Sequence, residues 1–174
     1  MIRRLAALAF VCALAVFTAR FLLYPFPVQG RSMEPAAKAG DVVLVNRIRY
    51  RLSDPARGDV VLFARPDGVR SLKRIIGLPG ETVQISGGQI LIDGKVLFSG
   101  SDPLTVSFAG RAADPVRLGE DEYFLLGDRD DSSEDSRNAR VGAARRSDLV
   151  GKAWFVLWPP DDFGMMAGRR LRLR

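Results

Sequence analysis

Ser32 and Lys73 are the residues whose chemistry stands out first, because the chain contains no histidine. Ser32 lies in the segment GRSMEP, residues 30–35. A serine nucleophile needs a base that accepts its proton, and this base is usually an imidazole. A buried lysine amine can become neutral and do the same work, whereas an arginine stays protonated. If Ser32 reacts, the best candidate for its base is Lys73 in SLKRIIG, residues 71–77.

Lys73 differs from the other lysines in its surroundings. The apolar residues of its strand and the adjacent charge of Arg74 would both lower the pKa of its amine. The remaining lysines stand beside turns or at a strand start, where a solvated amine is expected: Lys38, Lys95 and Lys152. On spacing alone, a Lys73 that points to water from a sheet edge stays open as the alternative.

The composition excludes several classes of function. The single cysteine, Cys12, lies in an apolar segment, so we expect no disulfide, no metal site and no cofactor. The net charge of +6 comes from the two ends of the chain, since residues 34–168 carry 18 basic against 20 acidic residues, a net of −2. We therefore expect no nucleic-acid partner.

The apolar segment Leu5–Tyr24 predicts a helix that crosses a bilayer once. Arg3 and Arg4 precede it, which favours a cytoplasmic N-terminus and an extracytoplasmic body. A cleaved secretory signal is the weaker alternative, because no small-x-small site follows. The expected organisation is a membrane anchor at residues 1–24 and a catalytic domain at residues 25–174.

The rest of the chain reads as short strands. Alternating or β-branched runs occupy residues 41–45, 59–63, 71–76, 82–85, 89–92, 95–97, 123–126 and 153–158. No amphipathic helical pattern follows Pro35, so we predict a mainly β domain of antiparallel sheets. Residues 99–120 read as an irregular surface excursion. The tail, residues 169–174, reads as a frayed end or as a contact with anionic lipid.

Four segments, in this order, resemble the boxes of the bacterial type I signal peptidases, which are membrane-bound serine proteases with a Ser-Lys dyad. GRSMEP resembles their nucleophile box S-M-x-P, and RGDVVLF at residues 57–63 resembles the strand that follows it. KRIIGLPGE at residues 73–81 is similar to the box of the general base. LGDRDDSSEDSR at residues 126–137 resembles the box G-D-N-x-x-x-S-x-D-S-R.

The resemblance implies an activity. Ser32 would be the nucleophile and Lys73 the base of an endopeptidase that cleaves signal peptides from exported preproteins, after small-x-small sites, through an acyl-enzyme. The partners would be these preproteins and the lipid bilayer, and the location would be the cell membrane, with one span.

The resemblance also implies supporting residues. Ser133 would orient the Lys73 amine, and the loop would be held by Asp128, Asp135 and Arg137. The shallow pockets for small substrate residues would be lined by Phe26, Val28, Met33 and Leu72.

The chain departs from the family pattern at two places. The usual core of the last box is G-D-N-R-D, and here Arg129 stands in the place of its Asn and Asp130 in the place of its Arg, so an ion pair made by that Arg is put in doubt. Gly30 stands where one branch of the family has a hydroxyl residue that helps to hold the oxyanion, and the glycine matches the single-span branch.

Other functions remain open at this stage. A specialised Ser-Lys maturase of one dedicated substrate, such as a conjugative pilin, could use the same boxes. A non-catalytic, membrane-anchored β domain is a second alternative. A self-cleaving repressor would need a DNA-binding domain, and none precedes Ser32.

Overall fold

The computed structural model describes residues 2–129, 134–166 and 168–174, with the backbone alone at residues 15 and 17–21. The first helix, α1, spans Ile2–Phe21, and a short helix, α2, spans Arg49–Leu52. The strands are β1 Leu23–Pro27, β2 Val42–Asn46, β3 Val60–Ala64, β4 Arg70–Gly77, β5 Thr82–Ser86, β6 Gln89–Ile92, β7 Lys95–Ser99, β8 Asp102–Pro103, β9 Val116–Arg117, β10 Glu122–Leu126, β11 Ala144–Arg145, β12 Leu149–Trp158, β13 Gly164–Met165 and β14 Leu171–Leu173. Single 3₁₀ turns occupy Gly110–Ala113, Arg146–Asp148 and Pro160–Asp162.

The strands form two antiparallel sheets, so the prediction of a mainly β domain is confirmed. Within the described residues, the first sheet has eight strands in the order β1-β2-β12-β3-β4-β10-β11, and β13 pairs with β12. The second has six strands in the order β14-β7-β6-β5-β9, and β8 pairs with β7. Strands with one buried face alternate apolar and polar residues, which is why the sequence pattern located most of them.

Three clusters of buried side chains form the core. One packs under β1, β2 and the loop that follows β1, and it contains Met33, Val43 and Leu72. A second fills the space between the two sheets around Ile90 and Phe124. The third lies on the other side of β3 and β4, around Phe63 and Leu125. The strand β4 contributes to all three clusters and is therefore held on both faces.

The first helix differs from its predicted bounds. It ends at Phe21 rather than at Tyr24, because Leu23 and Tyr24 pair with Asn46 and Val45 in the first sheet. Among the described residues, no helix combines the length and the apolarity that a membrane span requires. The membrane anchor therefore stays a prediction.

Two predictions about irregular segments need correction. The tail is not frayed, since Leu171–Leu173 pairs with Leu97–Ser99 and so adds an edge strand to the second sheet. The excursion at residues 99–120 contains β8, a 3₁₀ turn and β9, and Ala112 and Leu118 are buried in the core between the sheets. Both segments are shaped by partners distant in sequence, which local patterns do not register.

Candidate active site

The loop that carries Ser32 joins β1 to β2 and is closed at its base. The Val28 N–H donates to the Asp41 carbonyl at 2.8 Å, and the Gly40 N–H donates to the Val28 carbonyl at 2.9 Å. Met33 is buried in the first core cluster and anchors the middle of the loop. Ser32, one residue earlier, is half-buried and faces a cleft.

Lys73 lies in the middle of β4, opposite Val61 of β3, and only 2% of it is exposed. Burial lowers the pKa of its amine from 10.5 to about 8. The carboxylates of Asp135 and Glu134 oppose this shift, and the charges of Arg137 and Arg65 assist it. Lys73 is therefore a buried amine whose pKa allows a neutral fraction near neutral pH.

Arg74 does not contribute to this shift in the way the sequence indicated. Successive residues of a strand point to opposite faces, so Arg74 turns away from Lys73. Its guanidinium binds Asp128 and the Gly58 carbonyl instead. The cations that lower the pKa of Lys73 are Arg137 and Arg65.

Ser32 and Lys73 line one cleft of about 290 Å³. All four residues predicted for the substrate pocket also line it: Phe26, Val28, Met33 and Leu72. Three of them are buried in the core and expose only part of their surface to the cleft, while Phe26 is half-buried. The cleft thus has an apolar floor and combines a hydroxyl with a buried amine.

Three of the predicted supporting residues, Asp128, Asp135 and Arg137, are not among the residues that line this cleft. Asp135 accepts hydrogen bonds from the Arg137 guanidinium at 3.0 and 2.8 Å, and both side chains are buried. Arg137 also donates to the Phe108 carbonyl at 3.1 Å, and the Gly127 N–H donates to Asp135 at 3.3 Å. The expected charge-assisted pair is present. Ser133 lies outside the described residues.

Asp128 forms the second buried ion pair of the site. It binds Arg74 through two hydrogen bonds, and Arg169 approaches the same carboxylate at 3.7 Å. Because Arg74 follows Lys73 on β4, the pair ties the segment after β10 to the strand of the candidate base.

Sequence reasoning missed two contributions. Arg129, noted only as a departure from a pattern, donates its N–H to the Ser32 carbonyl at 3.0 Å. Arg70 stacks over the Tyr24 ring, with the guanidinium carbon 5.6 Å from its centroid. Arg70 thus joins β4 to β1. No local pattern in the sequence predicts the contact of Arg129 or that of Arg70.

A larger cavity, of about 820 Å³, lies beside α2. It contains Ser147, but the cations that line it are arginines, among them Arg51 and Arg146. Arginine cannot accept a proton from a serine. Among the described residues there is also no group of His, Cys, Asp or Glu side chains that could hold a metal ion. The smaller cleft is therefore the candidate active site.

The chain was compared with known proteins. The family model described as signal peptidase, peptidase S26, matches residues 1–158. A probable signal peptidase I-2 of Synechocystis sp. is 33% identical over 80% of this chain and 65% of its own length. A signal peptidase I of Bacillus amyloliquefaciens is 34% identical over 88% of this chain and 85% of its own. A crystal structure of a signal peptidase I from Enterococcus faecalis is 31% identical, covers 57% of this chain and 97% of its own, and has a TM-score of 0.46.

The chain belongs to the signal peptidase family, peptidase S26. The resemblance described above is thereby confirmed, and with it the prediction of a signal peptidase I function.

Proposed function

We propose that Ser32 and Lys73 form the Ser-Lys dyad with which this peptidase cleaves signal peptides from exported preproteins. The observation that carries the proposal is their meeting in one cleft, with the pKa of the buried lysine lowered to about 8. A base is most effective when its pKa lies near the working pH. Among the described residues that line this cleft, Lys73 is the one whose side chain carries an amine.

The reaction follows from these two groups. Neutral Lys73 accepts the proton of the Ser32 hydroxyl while the Ser32 oxygen attacks the scissile carbonyl carbon. The C–N bond breaks, the leaving amine takes the proton from Lys73, and an ester to Ser32 remains. Lys73 then accepts a proton from water as the water oxygen attacks the ester, and protonated Lys73 returns that proton to the Ser32 oxygen as the ester C–O bond breaks and the new carboxyl group leaves.

The substrate peptide fits the cleft as an added strand. In the described residues β1 pairs with β2 alone, and β4 pairs with β10 only from Arg74 onward. The edges of β1 and of residues 70–73 therefore both border the cleft. Extended peptides bind such edges by main-chain hydrogen bonds, and pockets below select alternate side chains. Because Met33 and Leu72 fill the floor, only small side chains fit.

The oxyanion of the intermediate would be held by backbone N–H groups. Gly30 has no side-chain donor, and a Cβ added there meets no atom within 4 Å. We assign the main donor to the Ser32 N–H, as in other acyl-transfer sites. Ser133 is proposed to orient the Lys73 amine, with Asp135 and Arg137 as the rigid base of its loop.

Anchoring by the N-terminal segment is also part of the proposal. Arg3 and Arg4 would stay in the cytoplasm and α1 would cross the bilayer once, so that the body is extracytoplasmic. Membrane fractions extracted at alkaline pH test the anchor, and protection of the body from protease in intact cells supports the orientation. Release of the full chain by alkali would refute the anchor without affecting the dyad.

The dyad is tested with Ser32→Ala and Lys73→Ala on a preprotein that carries an Ala-x-Ala site. Each substitution is expected to abolish processing while the circular dichroism spectrum stays that of the parent. Lys95→Ala, at an exposed hairpin lysine, is the matched control and should process normally. Cleavage at the parental rate by either dyad variant would refute the assignment and favour a different catalytic group.

A further inference from the structure

Arg129 contacts the loop of the candidate nucleophile at two points. Its N–H donates to the Ser32 carbonyl at 3.0 Å, and its guanidinium binds a carboxylate oxygen of Glu34 at 2.7 Å. The two chain segments are 95 residues apart in sequence. Arg129 therefore joins the segment after β10 to the nucleophile loop by one main-chain and one side-chain hydrogen bond.

Glu34 receives a second cation from its own loop. The Arg31 Nε donates to one carboxylate oxygen at 2.9 Å, and Arg129 binds the other. The hydrogen bond from Arg31 is the largest cause that lowers the pKa of Glu34, and Arg129 adds to it. Glu34 is thus ionised at neutral pH, and its carboxylate is held from both sides.

The neighbouring residue, Asp128, binds the strand that carries the candidate base. It binds Arg74, which follows Lys73 on β4, by hydrogen bonds of 2.7 and 2.6 Å. Consecutive residues of one segment therefore contact the strand of the candidate base and the loop of the candidate nucleophile. The dipeptide Asp128-Arg129 thus connects the strand that carries Lys73 to the loop that carries Ser32, and a serine-lysine pair requires a fixed distance between these two elements.

We propose that Arg129 is a positioning residue, which holds Ser32 at its working distance from Lys73 through Glu34 and the Ser32 carbonyl. The inference rests on the dyad proposed above. The side chains of Arg129 and Glu34 are 37% and 24% exposed, so their ion pair contributes little to global stability. A displacement of about 1 Å in an active site can nevertheless cost about 10²-fold in rate. The effect of Arg129 therefore falls on turnover rather than on folding.

The experiment compares kcat, KM and the urea midpoint of four variants and one control variant on one preprotein. Arg129→Asn and Glu34→Gln are each expected to lower kcat about tenfold, with KM within about twofold and an unchanged urea midpoint. The double variant is expected to lose no more than Glu34→Gln alone, because Glu34→Gln already removes the carboxylate that Arg129 binds. Arg129→Lys should recover part of the rate. Arg117→Asn, at an exposed strand residue of the second sheet, is the matched control and should behave as the parent.

Three results would overturn the proposal. Parental kcat in Arg129→Asn would show that the Arg129 side chain does not position Ser32. Losses that multiply in the double variant would show that Arg129 and Glu34 act separately. A fall in kcat that is accompanied by a fall in the urea midpoint would assign Arg129 a role in folding.

Ser32→Ala and Lys73→Ala belong in the same assay. If they retain cleavage, the dyad fails and this inference fails with it. If they are inactive and Arg129→Asn has the parental rate, only the inference about Arg129 fails. The two failures are therefore distinguishable.

Discussion

Arg74 and Asp128 form a two-bond ion pair that joins β4 to the segment following β10, and both side chains are almost fully buried. Arg74 also donates to the Gly58 carbonyl at 2.6 Å. Lys73, one residue earlier, turns to the opposite face and lines the cleft with Ser32. The strand that carries the proposed base is thus locked on its rear face by a charged pair.

Breaking this pair should destabilise the domain. Asp128→Ala leaves the buried guanidinium of Arg74 without its main partner, and the expected loss is about 3–5 kcal/mol in the free energy of unfolding. Urea unfolding measures it. Asp114→Ala, at an exposed loop position, is the control and should change little. A loss below about 1 kcal/mol would mean that other groups or water replace the carboxylate.

The pH dependence of cleavage should follow the Lys73 amine. Because the pKa is about 8, kcat/KM is expected to rise about tenfold per pH unit below that value and to level off above it. Glu134 raises the pKa of Lys73, so Glu134→Gln should move the acid limb to lower pH. Glu120→Gln, at an exposed turn, is the control. If the acid limb of the Glu134→Gln profile stays at the parental pH or moves to higher pH, this account of the charges around Lys73 is contradicted.

The buried amine should also cost stability at neutral pH. A pKa lowered from 10.5 to about 8 corresponds to about 3 kcal/mol at about 1.4 kcal/mol per unit. Between these two values the unfolded chain holds the proton and the folded chain does not, so parental stability rises with pH. Lys73→Met should raise the free energy of unfolding by up to about 3 kcal/mol near pH 7, and this gain should shrink above about pH 8.

Denaturant unfolding across this pH range provides the measurement for Lys73→Met. Lys95→Met, at an exposed lysine, should track the parent at every pH. A gain for Lys73→Met that did not vary with pH would indicate packing rather than titration as its source.

Gly77 ends β4 where the two sheets meet, and its lack of a side chain is required there. A Cβ at this position would lie 2.5 Å from a Val83 methyl and 2.9 Å from the Phe124 Cβ. Gly77→Ala should therefore lower the free energy of unfolding by about 1–3 kcal/mol. Gly30→Ala is the matched control, since its Cβ meets nothing within 4 Å. Equal unfolding midpoints for the two variants would show that the two sheets move apart enough to admit the added methyl group at little cost in free energy.

The strands could be predicted where local patterns carry the information. Residues 82–85 alternate polar and apolar side chains because one face of β5 is buried, and the predicted bounds of β5 and β6 differ from the observed ones by one residue or less. The pairing of the tail with β7 could not be predicted in this way. Leu171 and Ser99 are distant in sequence, and the pairing depends on an edge that exists only after the second sheet has formed.

The sequence by itself determined which chemistry is available to this protein. With no histidine and with arginines that cannot lose their proton, the four lysines were the candidates for the base of a serine, and the sequence favoured Lys73, whose segment offers Leu72, Ile75 and Ile76. The tertiary structure decided which charges surround it. Strand alternation turned Arg74 away toward Asp128, and chain folding brought Arg129 against the Ser32 loop. Side-chain identity is a local property, whereas the distance between two charges depends on how the whole chain packs.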